Sequence, residues 1–139
     1  MRFLDANIFI YAFYTPTGKL KARQREMKTA SQEIVRLVND GAEDVVTTVV
    51  HLSEIVNILN RALSFEELSH IVTTFYSLDN MHIEGVSPHD YLGAVELMGE
   101  LSLDANDALA VQVMRRRGIE QIYSFDRGFE HVRGVQRIP

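Results

Sequence analysis

Arg2-Phe3-Leu4-Asp5-Ala6-Asn7-Ile8-Phe9-Ile10-Tyr11-Ala12-Phe13 is the stretch on which the fold turns. A short apolar run stops at an acid, and a second apolar run continues past it with no turn residue between them. A buried strand passing directly into a helix accounts for that order, although so short a run does not separate strand from helix by periodicity alone. Asp5 then stands at the junction. There it either caps the helix, a duty Asn7 could share, or presents a carboxylate at the end of a strand.

The same succession recurs along the chain. Val45-Val46-Thr47 predicts a second buried strand, with Thr48 placed to begin a helix whose inward stripe is Leu52, Ile55, Val56, Leu59 and Leu63. Glu54 lies on the shoulder of that stripe, and as a solvated acid it would pair with Arg61. Met81 to Val86 alternates like a strand near a sheet edge, and Ser87-Pro88-His89-Asp90 carries the cap, proline and acid of a helix start that runs through Leu101. Leu103-Asp104-Ala105-Asn106-Asp107-Ala108-Leu109-Ala110-Val111 opens another helix, which closes on Arg115, Arg116, Arg117 and Gly118. Asp104 is placed to cap it or to assist a site. Asp107 shares a face with Val111 and Met114, so an acid sits on or beside an apolar surface.

Gln121 to Phe125 predicts a fourth strand that halts at Asp126, and Arg127-Gly128-Phe129 must turn, with Asp126 a possible Asx-turn residue. Val135 to Pro139 would add a short edge strand. Between these units, Tyr14 to Gly18 is a loop by composition, Lys19 to Asp40 a long amphipathic helix with a basic front, and Ser64-Phe65-Glu66-Glu67 a capping box opening a helix to about Leu78.

Short apolar strands alternating with amphipathic helices predict an α/β fold. The expectation is a single domain over residues 1–139, with a parallel four- or five-stranded sheet flanked by helices on both faces. In such folds the functional crevice lies outside the carboxyl ends of the strands. Asp5 and Asp126 each follow a strand directly, and Glu54 and Asp107 lie in helices entered from that same edge. Each acid taken singly is explained by a cap, a turn or a solvated face. Four of them on one rim are poorly explained by unrelated caps.

Composition narrows the chemistry. The chain has no cysteine, which removes disulfides, thiolate nucleophiles and sulfur-ligated zinc. A net charge of -5 argues against a protein that holds nucleic acid by being basic overall, yet cations bunch at Lys19, Lys21, Arg23, Arg25 and Lys28 and again at Arg115 to Arg117. Histidines 51, 70, 82, 89 and 131 show no metal-ligand spacing and are expected at the surface or in packing. No phosphate-cradling or dinucleotide glycine motif is present. With no apolar run long enough to span a bilayer and no signal-peptide pattern, the expectation is a soluble, cytoplasmic protein with no membrane partner.

Clustered carboxylates repel, and a divalent cation relieves the conflict. Oxygen-only ligation suits Mg2+ or Mn2+, which keep several waters and combine a few carboxylates with substrate phosphates. Bound metal also inverts the local sign, so that a phosphate can approach. The chemistry most consistent with this is hydrolysis of a phosphodiester.

Phe3-Leu4-Asp5-Ala6-Asn7, Ser53-Glu54-Ile55, Asn106-Asp107-Ala108-Leu109-Ala110 and Ser124-Phe125-Asp126-Arg127-Gly128-Phe129, in that order and over nearly the whole chain, resemble the motifs of the PIN-domain nucleases. The compact length looks most like the VapC-type toxins of toxin–antitoxin pairs. The resemblance implies a Mg2+- or Mn2+-dependent endoribonuclease, a homodimer, and a small antitoxin partner. By position it makes Asp5, Glu54, Asp107 and Asp126 the catalytic and metal-binding acids, with Asn7 and Ser124 as polar support. Family members commonly have threonine where Ser124 stands, and serine keeps the hydroxyl. Asp104 is a less regular acid, suited to capping or to an outer role. Arg115, Arg116, Arg117 and Arg127 are candidates to contact the RNA backbone, as are the basic residues from Lys19 to Lys28. Rival readings are a non-catalytic RNA-binding or assembly module of the same fold, a housekeeping RNA-processing nuclease, and an acidic-pocket receiver or phosphatase. The receiver lacks its late lysine, and the phosphatase lacks its Asp-x-Asp pair.

Overall fold

A computed structural model describes residues 1–14 and 18–139. The expected loop around Pro16 lies largely outside the described residues. The chain begins with β1 (Arg2–Leu4) and α1 (Ala6–Phe13), followed by α2 (Ala22–Asn39), β2 (Val45–Thr48) and α3 (Val49–Leu59). Then come α4 (Phe65–Ser77), β3 (Met81–Glu84), α5 (Pro88–Leu101), α6 (Ala105–Arg117) and β4 (Gln121–Tyr123). A 3-10 helix (Arg127–His131) and β5 (Gln136–Ile138) complete the described elements. The five strands form one sheet in the order β3-β2-β1-β4-β5, and every pairing is parallel.

The opening stretch therefore supplies the central strand. Phe3 lies in register with Val46 on one side and Ile122 on the other, and all three face α5, α6 and the 3-10 helix. Leu4, Val45 and Tyr123 face the opposite way, onto a core built with α1 to α4. Side chains alternate across a strand, so consecutive residues of a strand buried on both faces must both be apolar. Phe3 and Leu4 meet that requirement with no exposed surface.

Helix α6 is buried nearly all round: Ala108, Leu109, Ala110, Val111, Val113 and Met114 are all inside. Small residues let it approach its neighbours closely. A Cβ added to Gly93 of α5 would stand 3.3 Å from Gln112 Oε1. The ends of α6 are set as its sequence predicts. Asp104 Oδ1 accepts from Asp107 N at 2.9 Å, and Gly118 takes the left-handed conformation at φ +66°.

Element limits differ from expectation by more than one residue in four places. Helix α2 begins at Ala22 rather than near Lys19, with Gln24 Oε1 accepting from Lys21 N at 2.9 Å. Helix α3 stops at Leu59, and Leu63 reaches the same core from the turn beyond it. Strand β3 ends at Glu84, on the sheet edge. Strand β4 ends at Tyr123 because the next residue turns its hydroxyl inward to serve three polar groups, described below. Among the described residues no helix is long and apolar enough to cross a membrane.

Candidate active site

Asp5 follows β1 and Ser124 follows β4, the strand hydrogen-bonded beside it. The Asp5 amide donates to Tyr123 O at 3.1 Å, which draws the two strand ends together. Ser124 Oγ then donates to Asp5 Oδ2 at 2.5 Å and accepts from Asn7 Nδ2 at 3.1 Å and from the Asp126 amide at 3.0 Å. One donor and two lone pairs exhaust a serine hydroxyl. Asn7 Oδ1 closes the network by accepting from the Phe125 amide at 3.3 Å.

Asp5 does not use its side chain to cap α1. The residue is 6 % exposed, and its carboxylate points into the ring just described. Burial pushes its pKa up, Ser124 and the Ala6 amide pull it back, and Glu54 and Asp126 add repulsion; the result is about 6.

Asp107 sits in the first turn of α6 and is half-buried. A helix N-terminus favours a carboxylate, yet this one is pushed up to about 8, first by burial and then by Asp5, Asp104, Asp126 and Glu54 in that order. Desolvation and repulsion outweigh the helix dipole. Asp104, exposed, is the cap, so the two acids that open α6 have different roles.

Glu54 is held from across the cleft. Asn106 Nδ2 donates to Glu54 Oε2 at 3.0 Å, and among the described residues no ion pair joins Glu54 to Arg61. Thr48 Oγ1 caps α3 by accepting from Val50 and His51 amides, and lies 2.8 Å from His51 Nδ1. His51 is fully buried with its ring edge-on to Phe3, 5.0 Å between centroids, and burial lowers its pKa to about 4. A neutral imidazole thus locks the start of α3 against β1. The other histidines lie at or near the surface.

Asp126 is exposed and starts the 3-10 helix, its Oδ1 accepting from Gly128 N at 2.7 Å. The turn reading of this residue holds, and the bond engages one of its two oxygens. A Cβ on Gly128 would lie 2.8 Å from Leu103 Cδ2 and 3.1 Å from Asp126 Oδ1, so both side chains would have to shift to admit it.

Asp5, Glu54, Asp107 and Asp126 therefore meet on one rim closely enough to perturb one another. Among the described residues no three of them close into a cage around an ion. Hard carboxylates, one buried and others open to solvent, fit a cation that keeps water and shares its remaining positions with a phosphate. Asp5 and Asp107 would hold it, with Glu54 and Asp126 beside them.

Asn106, given no role in advance, is the contributor that the sequence left out, while His51 is found in packing, one of the two places expected for the histidines. Asn106 beside Asp107 in the first turn of α6 was the one available signal. The cluster Arg115 to Arg117 is not brought to the acids. It ends α6, whose first turn carries Asp107, about 14 Å away at a rise of roughly 1.5 Å per residue. Arg116 bonds Glu84 at 2.7 Å and Asp90 at 3.3 Å, Arg117 bonds Glu84, and Arg115 lies 3.7 Å from Glu100. Arg127, by contrast, adjoins Asp126 and is exposed.

Among solved structures, the chain is similar to the Mycobacterium tuberculosis toxin VapC20, described as cleaving the sarcin–ricin loop. That likeness has a TM-score of 0.64 and 22% identity over 91% of this chain and 90% of the other. It is also similar to a chain of a toxin–antitoxin complex from Klebsiella pneumoniae, with a TM-score of 0.64 and 18% identity over 98% and 96% of the two chains. At such identities these likenesses concern the fold. No curated protein sequence matches the chain. The PIN domain family model matches residues 2–135, spanning the central strand, all four acids and most of the sheet, and the chain belongs to the PIN-domain family.

Proposed function

We propose that this protein is a Mg2+- or Mn2+-dependent endoribonuclease, acting as the toxin of a type II toxin–antitoxin pair. The observation that carries the reading is the meeting on one rim of a buried Asp5 and a half-buried Asp107 whose pKa burial, and then its acidic neighbours, raise to about 8. A fold that only needed helix caps would expose these groups. Holding them together unneutralised costs stability, which a bound cation returns.

When bound, a divalent cation supplies Lewis acidity toward a phosphodiester and a water nucleophile at neutral pH. The protein's own part is positioning. Ser124 and Asn7 fix the Asp5 carboxylate, Asn106 fixes Glu54, and the Asp104 cap fixes the helix turn from which Asp107 projects. Asp126 is set by its turn with Gly128. The Klebsiella chain comes from a toxin–antitoxin complex, which supports an antitoxin partner here. Exposed Tyr91, Leu92 and Val95 on α5 support a homodimer, since paired copies would cover them.

The test is incubation of purified protein with mixed RNA and Mn2+, with and without chelator. Cleavage should require the metal, and Asp5→Asn and Asp107→Asn should each lower it by at least about 100-fold, the scale of losing a transition-state charge partner. Full activity in either variant would sink the assignment.

A further inference from the structure

Arg23 of α2, Arg127 after β4 and Arg137 of β5 are far apart in sequence and line one cleft of about 460 Å³, with Phe125, Glu26 and Pro139 among its other walls. The three cations are not equivalent. Arg137 is occupied: it bonds Glu130 and the Pro139 carbonyl, and donates to Ser124 O at 3.1 Å. Arg23 and Arg127 are exposed and, among the described residues, make no hydrogen bond or ion pair; Arg127 only adds to the pull that Arg137 exerts on the Glu130 carboxyl.

Arg25, Arg61 and Arg133 are likewise without a side-chain hydrogen bond or ion pair among the described residues, so what sets Arg23 and Arg127 apart in an acidic protein is that they line the same cleft. Arg2 pairs with Glu43, Arg36 with Glu33 and Asp40, and the α6 arginines with Glu84, Asp90 and Glu100. Glu26 is the carboxylate on the cleft wall, so the guanidiniums outnumber it. The position matters as well. Phe125 and Arg127, the residues on either side of Asp126, both face this cleft, so it begins where the acid rim ends. Phe125 is itself held edge-on by Tyr11, 5.4 Å between centroids.

We propose that this cleft is a substrate subsite, in which Arg23 and Arg127 grip a backbone phosphate of the RNA strand one step beyond the cleaved bond and Phe125 walls the adjoining sugar or base. Guanidinium suits the task, because its planar donors match phosphate oxygens two at a time. The subsite also answers how an acidic chain holds RNA at all: the metal inverts the sign at the rim, and the cleft extends the positive track beyond it. The inference rests on the ribonuclease reading above.

The test measures binding of a fluorescein-labelled single-stranded RNA dodecamer by anisotropy in magnesium buffer, using Asp107→Asn protein so that the RNA stays whole. Adding Arg23→Ala and Arg127→Ala together should weaken binding about tenfold. It should also flatten the slope of log Kd against log salt by about 0.7, the counterion release of one phosphate on a single strand. Lysine at both positions should restore most of the affinity, since charge is kept and only the fork is lost. Arg115→Ala should change neither quantity, and melting temperatures of all variants should match. Unchanged affinity and slope in the double alanine variant overturns the subsite, while Mn2+-dependent cleavage by the parent protein leaves the ribonuclease reading standing. If the Asp107→Asn protein binds no RNA and the parent cleaves none, both fall together.

Discussion

The two ends of α6 carry opposite solutions to the same problem. At its C-terminal end, three arginines meet Glu84, Asp90 and Glu100. Burial pushes the Glu84 carboxyl up, but the Arg116 and Arg117 guanidiniums outweigh it and hold the group below its ordinary range. At its N-terminal end, Asp107 faces Asp5, Asp104, Asp126 and Glu54 with no cation among the described residues to answer them, and burial together with that repulsion holds it near 8. Charges that have partners are part of the structure. Charges that the fold gathers and leaves unanswered mark a site, because something from outside must complete them.

The sharpest way to break this comparison is Asp107→Asn. It should remove cleavage, as stated above, yet raise the melting temperature of the metal-free protein at pH 8, because it deletes a repelled charge rather than a contact. A variant that melts lower than the parent under those conditions would mean the carboxylate is structural after all.

Gly128→Ala tests the same end from a neighbouring loop. Leu103 must shift to admit the methyl and Asp126 must give way with it. A stability loss of about 1 kcal/mol by urea titration and a several-fold loss of cleavage are expected. Glu84→Gln tests the other end. It should lower stability by about 1–2 kcal/mol while leaving RNA cleavage unchanged, since Arg116 and Arg117 lose a charged partner far from the acids.

The smallest and most diagnostic effect is in pH. Asp5 and Asp107 bind protons more tightly in the folded chain, about 6 and 8, than an unfolded aspartate does near pH 4. Between those limits the folded state holds more protons, so stability falls as pH rises. Their favourable contribution is complete below about pH 4 and is lost through pH 6 and then pH 8. Melting temperatures in chelator should therefore decline over that range, and excess Mn2+ should recover most of the decline. A flat profile would remove the electrostatic argument.

Local chemistry made much of this legible in advance. Asp104, Ser64, Ser87 and Thr48 announce helix starts because a cap bonds amides two or three residues away, a distance the chain itself spans. The parallel sheet followed from alternating short apolar runs and amphipathic helices. What was not legible lies in contacts between elements. Arg116 to Arg117 looked as available for RNA as Arg127, until the packing of α6 beside β3 and α5 brought Glu84 and Asp90 to the first two. Asp5 could equally have been a cap, until Ser124, 119 positions away, supplied its hydroxyl.

By itself, then, the sequence of residues determined which segments form strands and helices, where most of them start, and that acids stand at strand ends and helix starts. These depend on interactions spanning a few residues. Only the tertiary structure decided which charges are answered: it set β4 beside β1, joined Asn106 to Glu54, and buried His51 against Phe3. Partnership between distant side chains depends on how whole elements pack, and no local pattern encodes that geometry.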